Sequence, residues 1–189
     1  MTTFLPIHTR RLLLRDFVES DWLGVHEYAR LPQVVQYMGW GPNTEEQTRE
    51  VVERYIKAQG EDPRLKWEFA VTLSQTGRVI GACGLTVNPP NRCADIGYVY
   101  NPDVWGQGYA TEAAGAILDL GFRHLDLHRI TGRCDTKNLG SARVMEKAGM
   151  RREAHMIQEN FERGRWRDTF LYAILQSEWN ERALKEASK

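Results

Sequence analysis

The hydrophobic positions of the chain follow two periods, and the switches between them mark out its elements. Arg11 to Phe17 alternates apolar and polar residues, the two-residue period of a strand with one buried face. Ser20 and Asp21 then supply helix-capping chemistry ahead of Trp22, Val25, His26 and Tyr28, which predicts a helix. A loop with Pro32, Gly39, Gly41 and Pro42 ends at Thr44, and Gln47 three residues later completes the spacing of a capping box. Val51, Val52, Tyr55 and Ile56 form the apolar stripe of the second helix.

From Trp67 the period is again two, with Trp67, Phe69, Val71 and Leu73 on one face and Glu68, Ala70 and Thr72 on the other. Gln75 to Gly77 turns the chain into Val79 to Leu85, a nearly unbroken apolar run that predicts a central strand covered on both faces. Asp95 to Tyr100, closed by Asn101 and Pro102, completes a meander. Thr111 to Leu125 has helical spacing, and His128 to Cys134 reads as a strand parallel to Asp95 to Tyr100 if that helix is the crossover. A short helix from about Ser141 to Ala148 stops at Gly149, and strands at 154–161 and 166–175 flank Arg163-Gly164-Arg165 as a hairpin. The last ten or so residues are polar and predict a frayed end.

The chain has 189 residues, the size of one domain spanning 1–189. Lys plus Arg number 25 and Asp plus Glu 25, so no net field draws nucleic acid or an anionic membrane, and neither is expected as a partner. No run approaches the ~18 apolar residues of a membrane span, which predicts a cytoplasmic protein. Cys83, Cys93 and Cys134 are odd in number and lack metal-ligand spacing, so free thiols are expected. The five histidines are scattered, and no metal site is expected.

The chemistry concentrates in Trp105-Gly106-Gln107-Gly108-Tyr109-Ala110, between a strand and a helix. Two glycines let main-chain N–H groups converge, and the helix N-terminus adds unpaired donors, an arrangement suited to a phosphate or diphosphate. A tight turn accounts for an isolated Gly-x-Gly equally well. No Gly-Lys-Ser/Thr follows, which excludes the nucleoside-triphosphate loop. A dinucleotide fingerprint would want Gly or Ala at Thr111 and a second βαβαβ half, and the chain instead continues into a short helix and a hairpin.

The run from Asp95 through Trp105-Gly-Gln-Gly-Tyr-Ala to Ala113, together with Asn138-Leu-Gly-Ser-Ala-Arg-Val-Met-Glu-Lys-Ala-Gly-Met150, resembles the GNAT superfamily of N-acetyltransferases. Within it the chain is similar to the RimJ/RimL branch, which acetylates ribosomal-protein N-termini, from Thr9-Arg-Arg-Leu to Tyr172. The resemblance implies an α/β fold of the α+β kind. Its sheet would be mostly antiparallel with about seven strands, a parallel splayed pair in its middle and about four flanking helices. It implies acetyl-coenzyme A as cofactor, with the diphosphate held by the main chain of Trp105, Gly106, Gln107, Gly108, Tyr109, Ala110 and Thr111. Trp105 stands where the family pattern has Gln or Arg. The strand Ile96 to Tyr100, including Tyr98 and Val99, would pair with the pantetheine arm, and an N–H near Val99 or Tyr100 would face a developing oxyanion. Asn138 would reach the cofactor, and Ser141 would either protonate the leaving thiolate or simply cap its helix.

For the acceptor, an α-amino group titrating near ~7.7–8.0 is roughly a tenth neutral at pH 7, against about 0.04% for a lysine amine near ~10.4. The resemblance places the Glu68 strand beside the acceptor, so Glu68 is the expected base; a solvated strand glutamate is the plain alternative. Tyr37, Met38, Trp40, Tyr98 and Trp166 are expected around the amine, while Asp168 is read as structural. The activity implied is direct acetyl transfer in a ternary complex to a primary amine, foremost a protein or peptide N-terminus, by a monomer or homodimer. A small amine such as a polyamine, amino acid or antibiotic, or a non-catalytic acyl-coenzyme-A sensor, are the alternatives.

Overall fold

A computed structural model describes residues 4–187. The chain order is β1 (Ile7–His8), β2 (Leu12–Arg15), α1 (Trp22–Ala29), α2 (Pro32–Val35), α3 (Glu45–Gln59), β3 (Lys66–Leu73), β4 (Val79–Asn88) and β5 (Cys93–Tyr100). It continues with α4 (Tyr109–Arg123), β6 (Arg129–Asp135), α5 (Leu139–Lys147), β7 (Arg151–Glu162), β8 (Arg165–Leu175) and α6 (Gln176–Ala187). One eight-stranded sheet runs β1-β2-β3-β4-β5-β6-β8-β7, every neighbouring pair antiparallel except β5 with β6.

The expected mixed sheet is therefore present, with the two-residue β1 as its additional edge strand. Two helices were not expected. α2 is a single turn started by Pro32 that buries Val34 and Val35. α6 occupies the end expected to fray: Trp179 Nε1 donates to Asp119 (3.2 Å) and Gln176 Nε2 to the Phe122 carbonyl (3.1 Å), which docks the helix on α4. Its polar composition hid this, because the two docking bonds come from one indole and one side-chain amide.

Strand alternation sorts the side chains between two layers. Trp67, Phe69, Cys83, Leu85 and Ile96 pack with Ala113, Ala114, Ile117 and Leu118 of α4 and Met145 of α5. Ala70 and Ala82 face the other way, against Phe17, Val25, Tyr28 and Val52 under α1 and α3. The run from Val79 to Leu85 is buried throughout, as a strand covered on both faces must be.

Local capping is partly as expected. Thr44 Oγ1 accepts from Gln47 N–H (3.2 Å), and Gln47 Oε1 accepts from Thr44 N–H (2.9 Å), the reciprocal box that starts α3. Asp21 behaves differently. Its carboxylate does not cap α1; it takes two bonds from Arg15 (2.7 and 2.8 Å) and one from Val18 N–H (2.8 Å), so it ties the end of β2 to a short turn. A charged guanidinium outcompetes a helix amide for it.

Replacing Thr44 with Ala removes one half of the box at the start of the helix that bears Glu50, Arg54 and Tyr55. The variant should lose about 1 kcal/mol of stability, read as a lower urea midpoint with unchanged slope.

Candidate active site

The loop ahead of α4 is built by its own side chains. Asn101 Oδ1 accepts from Asp103 N–H (3.1 Å), which starts a short turn over residues 102–104. Trp105 Nε1 donates to the Tyr100 carbonyl (2.9 Å), and Gln107 Nε2 folds back on the Asp103 carbonyl (2.9 Å). Gly106 and Gly108 then adopt φ of +74° and +82°, in the left-handed region where a Cβ is strained. No atom lies within 4 Å of a Cβ placed on Gly106, and only Arg11 Nη2 (3.5 Å) approaches one on Gly108, so the cradle is open on its outer side. α4 begins at Tyr109 and its first bond is Glu112 N–H to the Gly108 carbonyl (3.1 Å), which leaves the amides of Tyr109, Ala110 and Thr111 without helical acceptors. An anion of diphosphate size fits this chemistry.

Sequence reasoning missed what holds the loop from behind. Arg11 donates from Nη1 to the Gln107 carbonyl (3.0 Å) and from Nε to Glu112 (2.7 Å), and lies 4.2 Å over the Tyr109 ring. Thr9 Oγ1 (2.7 Å) and Arg11 N–H (2.8 Å) also donate to Glu112. Burial pushes the Glu112 carboxyl up, and these donors more than offset it, leaving it below the ordinary carboxylate value. The only trace in the sequence was the Thr9-Arg-Arg-Leu segment, about a hundred residues away from its partners.

β5 and β6 are paired only from Cys93 with Arg129 to Ile96 with Gly132. Beyond that row β5 stays paired with β4 up to Tyr100, while β6 stays paired with β8 up to Asp135. The two strands therefore part, and a slot opens between them. Asn101 N–H bonds the Ile80 carbonyl (2.9 Å), so by alternation the main-chain groups of Gly97 and Val99 face β4, and those of Tyr98 and Tyr100 face the slot. Of the two amides expected to meet an oxyanion, Tyr100 is the one that points there; Val99 is turned into the sheet.

α5 closes the slot from below. Asn138 Oδ1 accepts from Ser141 N–H (3.1 Å), so this oxygen caps α5. Tyr98 Oη donates to the Ser141 carbonyl (3.0 Å) and lies 2.9 Å from Ser141 Oγ, which makes a pair of hydroxyls just past the last paired row. Burial drives the Tyr98 hydroxyl well above its ordinary pKa, so it keeps its proton.

The opposite face of the sheet holds a cavity of about 480 Å³ under α1, α3 and the loop between α2 and α3. Tyr28, Trp40, Glu50, Arg54 and Tyr55 form its walls, with Ala82 and Val99 at its base. One row along from Ala82 and Val99, register puts Glu68, Gly84 and Gly97 side by side on the same face. The Glu68 carboxyl carbon lies 2.8 Å from where a Cβ on Gly84 would stand, so Gly84 makes the room that Glu68 occupies. Burial raises the Glu68 carboxyl from 4.5 to about 7, with nearby Lys66 pulling it part of the way back. Burial raises Tyr28 and Tyr55 in the same way, and the Glu68 charge adds to the rise of both.

Of the residues expected around an amine, Glu68 and Trp40 lie on this face. Tyr98 does not: register pairs it with Cys83, among the side chains that face α4 and α5, because one residue along a strand changes the face. Trp166 stacks edge-on against Phe161 (5.4 Å) and is exposed, on the side of β8 opposite Arg167. Tyr37 is half-buried outside the cavity wall, and Met38 packs into the cluster beneath α1 and α3. Asp168 accepts from Gln158 N–H (2.9 Å) and lies 3.2 Å from His155, a structural role in the hairpin. No group of three or more His, Cys, Asp or Glu side chains able to hold a metal occurs among the described residues.

Comparison with known proteins agrees with this geometry. Residues 11–151 match the acetyltransferase (GNAT) domain model. The chain is 38% identical over 93% of its length to all of the uncharacterized N-acetyltransferase YnaD of Bacillus subtilis. It is 27% identical, over 92% of its length and 98% of the relative's, to a spermidine N(1)-acetyltransferase of Vibrio cholerae. A GNAT-family acetyltransferase from Bacillus anthracis superposes with a TM-score of 0.83 at 36% identity, covering 92% of this chain and 99% of the other. The Vibrio cholerae spermidine N-acetyltransferase in complex with CoA and spermine superposes with a TM-score of 0.78 at 25% identity, over 91% and 99%. With the glycine loop ahead of α4, the parted strands and these relatives in agreement, the chain belongs to the GNAT family and is an acetyl-coenzyme-A-dependent N-acetyltransferase.

Proposed function

We propose that the acceptor is an α-amino group at a peptide or protein N-terminus, as in the RimJ/RimL branch, and that transfer is direct within a ternary complex in the cytoplasm. The observation that carries this reading is the Glu68 carboxyl, raised to about 7 beside a cavity that bears both Glu50 and Arg54. A base near 7 lies within about one unit of an α-ammonium at ~7.7–8.0 and about three units below an alkylammonium near ~10.4. The larger gap corresponds to roughly 4 kcal/mol of uphill proton transfer. Arg54 on the wall also opposes a polycation and suits an acceptor that carries a carbonyl or carboxylate near its amine.

Bound acetyl-coenzyme A supplies the activated acetyl thioester. The amides of residues 106–111 bind its diphosphate, with Arg11 and Glu112 holding the loop in shape. The slot-facing main-chain groups of Tyr98 orient the pantetheine arm, and the Tyr100 N–H, whose own carbonyl is taken by Trp105, is the donor available to an oxyanion. Glu68 takes the proton of the incoming amine, directly or through a water. Ser141 Oγ holds a proton for the departing thiolate, with the Tyr98 hydroxyl 2.9 Å behind it.

The second reading is a polyamine acceptor, and it is favoured by the spermidine acetyltransferases among the relatives. A thiol-release screen separates the two: N-terminal peptides should exceed spermidine and spermine in kcat/KM, and the reverse order assigns the polyamine.

Because the base must be ionised, kcat should fall as pH drops through about 7, and Glu68→Gln should lower kcat about a hundredfold and abolish that limb. Gly108→Val places a branched side chain at φ +82° in the cradle and should abolish coenzyme A binding by calorimetry, with the fold intact by circular dichroism.

A further inference from the structure

The matched family segment stops at residue 151, and the β7–β8 hairpin lies beyond it. Its turn, with Arg163 at φ +51° and Gly164 at +75°, reaches across to the loop between α2 and α3, the loop from which Trp40, Gly41 and Pro42 line the cavity. Arg163 Nη2 donates to the carbonyls of Trp40 (2.8 Å) and Gly41 (2.9 Å). Arg167 Nη2 donates to the Gln36 carbonyl (3.1 Å). Between these points Glu162 Oε1 lies 3.2 Å from where a Cβ on Gly39 would stand, so the hairpin touches the loop at both ends and in the middle.

Arg167 is an unusual anchor. Its side chain is 4% exposed and lies 3.2 Å from Glu162 and 3.7 Å from Asp135. Asp135 ends β6, on the side of the slot away from β5. The same arginine therefore ties the loop to the strand that bounds the slot. A buried guanidinium between two carboxylates is costly to assemble unless its geometry matters.

We propose that Arg163 and Arg167 are positioning residues that clasp residues 36–41 from outside the cavity, so as to preform it and set the affinity for the amine. The inference rests on the reading that this cavity receives the amine. Arginine donors are matched here to main-chain carbonyls, which any loop sequence presents, so the clasp fixes the path of the loop while its side chains remain free to select acceptors. Losing the clasp leaves a loop that must be ordered at each binding event, a cost that appears in acceptor affinity and not in the cofactor cradle on the other side of the slot.

The test uses Arg163, an exposed turn residue, replaced by Ala and by Lys in the full chain. Arg163→Ala should keep its melting temperature and its acetyl-coenzyme A Kd, raise the amine KM about tenfold and speed amide hydrogen exchange across residues 36–43. Arg163→Lys, which keeps a donor, should recover part of both effects. Unchanged exchange overturns the clasp, and faster exchange with an unchanged amine KM overturns its role in acceptor affinity. An equal rise in KM and acetyl-coenzyme A Kd overturns it as well, since the effect is then on the whole site. Failure of the parent reading is distinct: the unmodified chain would release no thiol with any primary amine, and the inference would fall with it.

Discussion

The parting of β5 from β6 after the Ile96–Gly132 row is the constraint on which the rest of the structure depends. A sheet normally saturates its main-chain groups, and leaving several unpaired in the middle of one is costly unless something else completes them. The split survives because each strand is fully engaged on its outer side, β5 with β4 and β6 with β8. The lower end is held open by α5, whose first turn takes the Tyr98 hydroxyl. At the upper end the Trp105 indole takes the Tyr100 carbonyl. An extended chain with amides of its own can enter such a slot as a temporary strand, and the pantetheine arm of acetyl-coenzyme A has that form.

Division of labour between the two faces follows from the strand period. Ile96, Tyr98 and Tyr100 point toward α4 and α5, where Ser141 and the Gly106–Gly108 loop lie, while Val99 points toward α1 and α3. In the proposed mechanism, cofactor and acceptor approach the same few residues of β5 from opposite sides and meet where the sheet is split. The small row Glu68, Gly84, Gly97 has the same logic: two glycines in register leave space on the α1 and α3 face into which a carboxylate can fold.

What was legible in the sequence was local. The Thr44–Gln47 box, the Gly106–Gly108 loop and the Arg163–Gly164 turn are each specified within a few residues, and each formed as expected. The β3–β4–β5 meander and the parallel β5–β6 pair were also readable, because a meander followed by one crossover helix leaves few alternatives, whereas the placing of β8 and not β7 beside β6 was not. What was not legible depends on partners far along the chain. Nothing near Arg11 announces Glu112, nothing near Arg163 announces Trp40, and Asp21 looked like a cap until Arg15 claimed it. The face on which Tyr98 lies was not legible for a related reason. Alternation within β5 was evident, but which parity faces α1 and α3 is set by register with β4, and register is a tertiary quantity.

Glu68, the base proposed above, differs from an ordinary strand glutamate in its burial. A solvated strand glutamate would titrate near its ordinary value, whereas burial carries this one from 4.5 to about 7. A carboxyl whose folded pKa is raised holds its proton more tightly folded than unfolded. Its contribution to stability is therefore fully present below the unfolded value and declines as pH rises to about 7, so near neutrality it weakens the fold. Glutamine or a small apolar residue at this position would avoid that loss, and the neighbouring glycines would accommodate either. Packing and folding thus give no reason for the group. The proposed proton transfer supplies one, because a carboxyl poised near neutrality can both accept a proton from an amine and return it to solvent within one turnover.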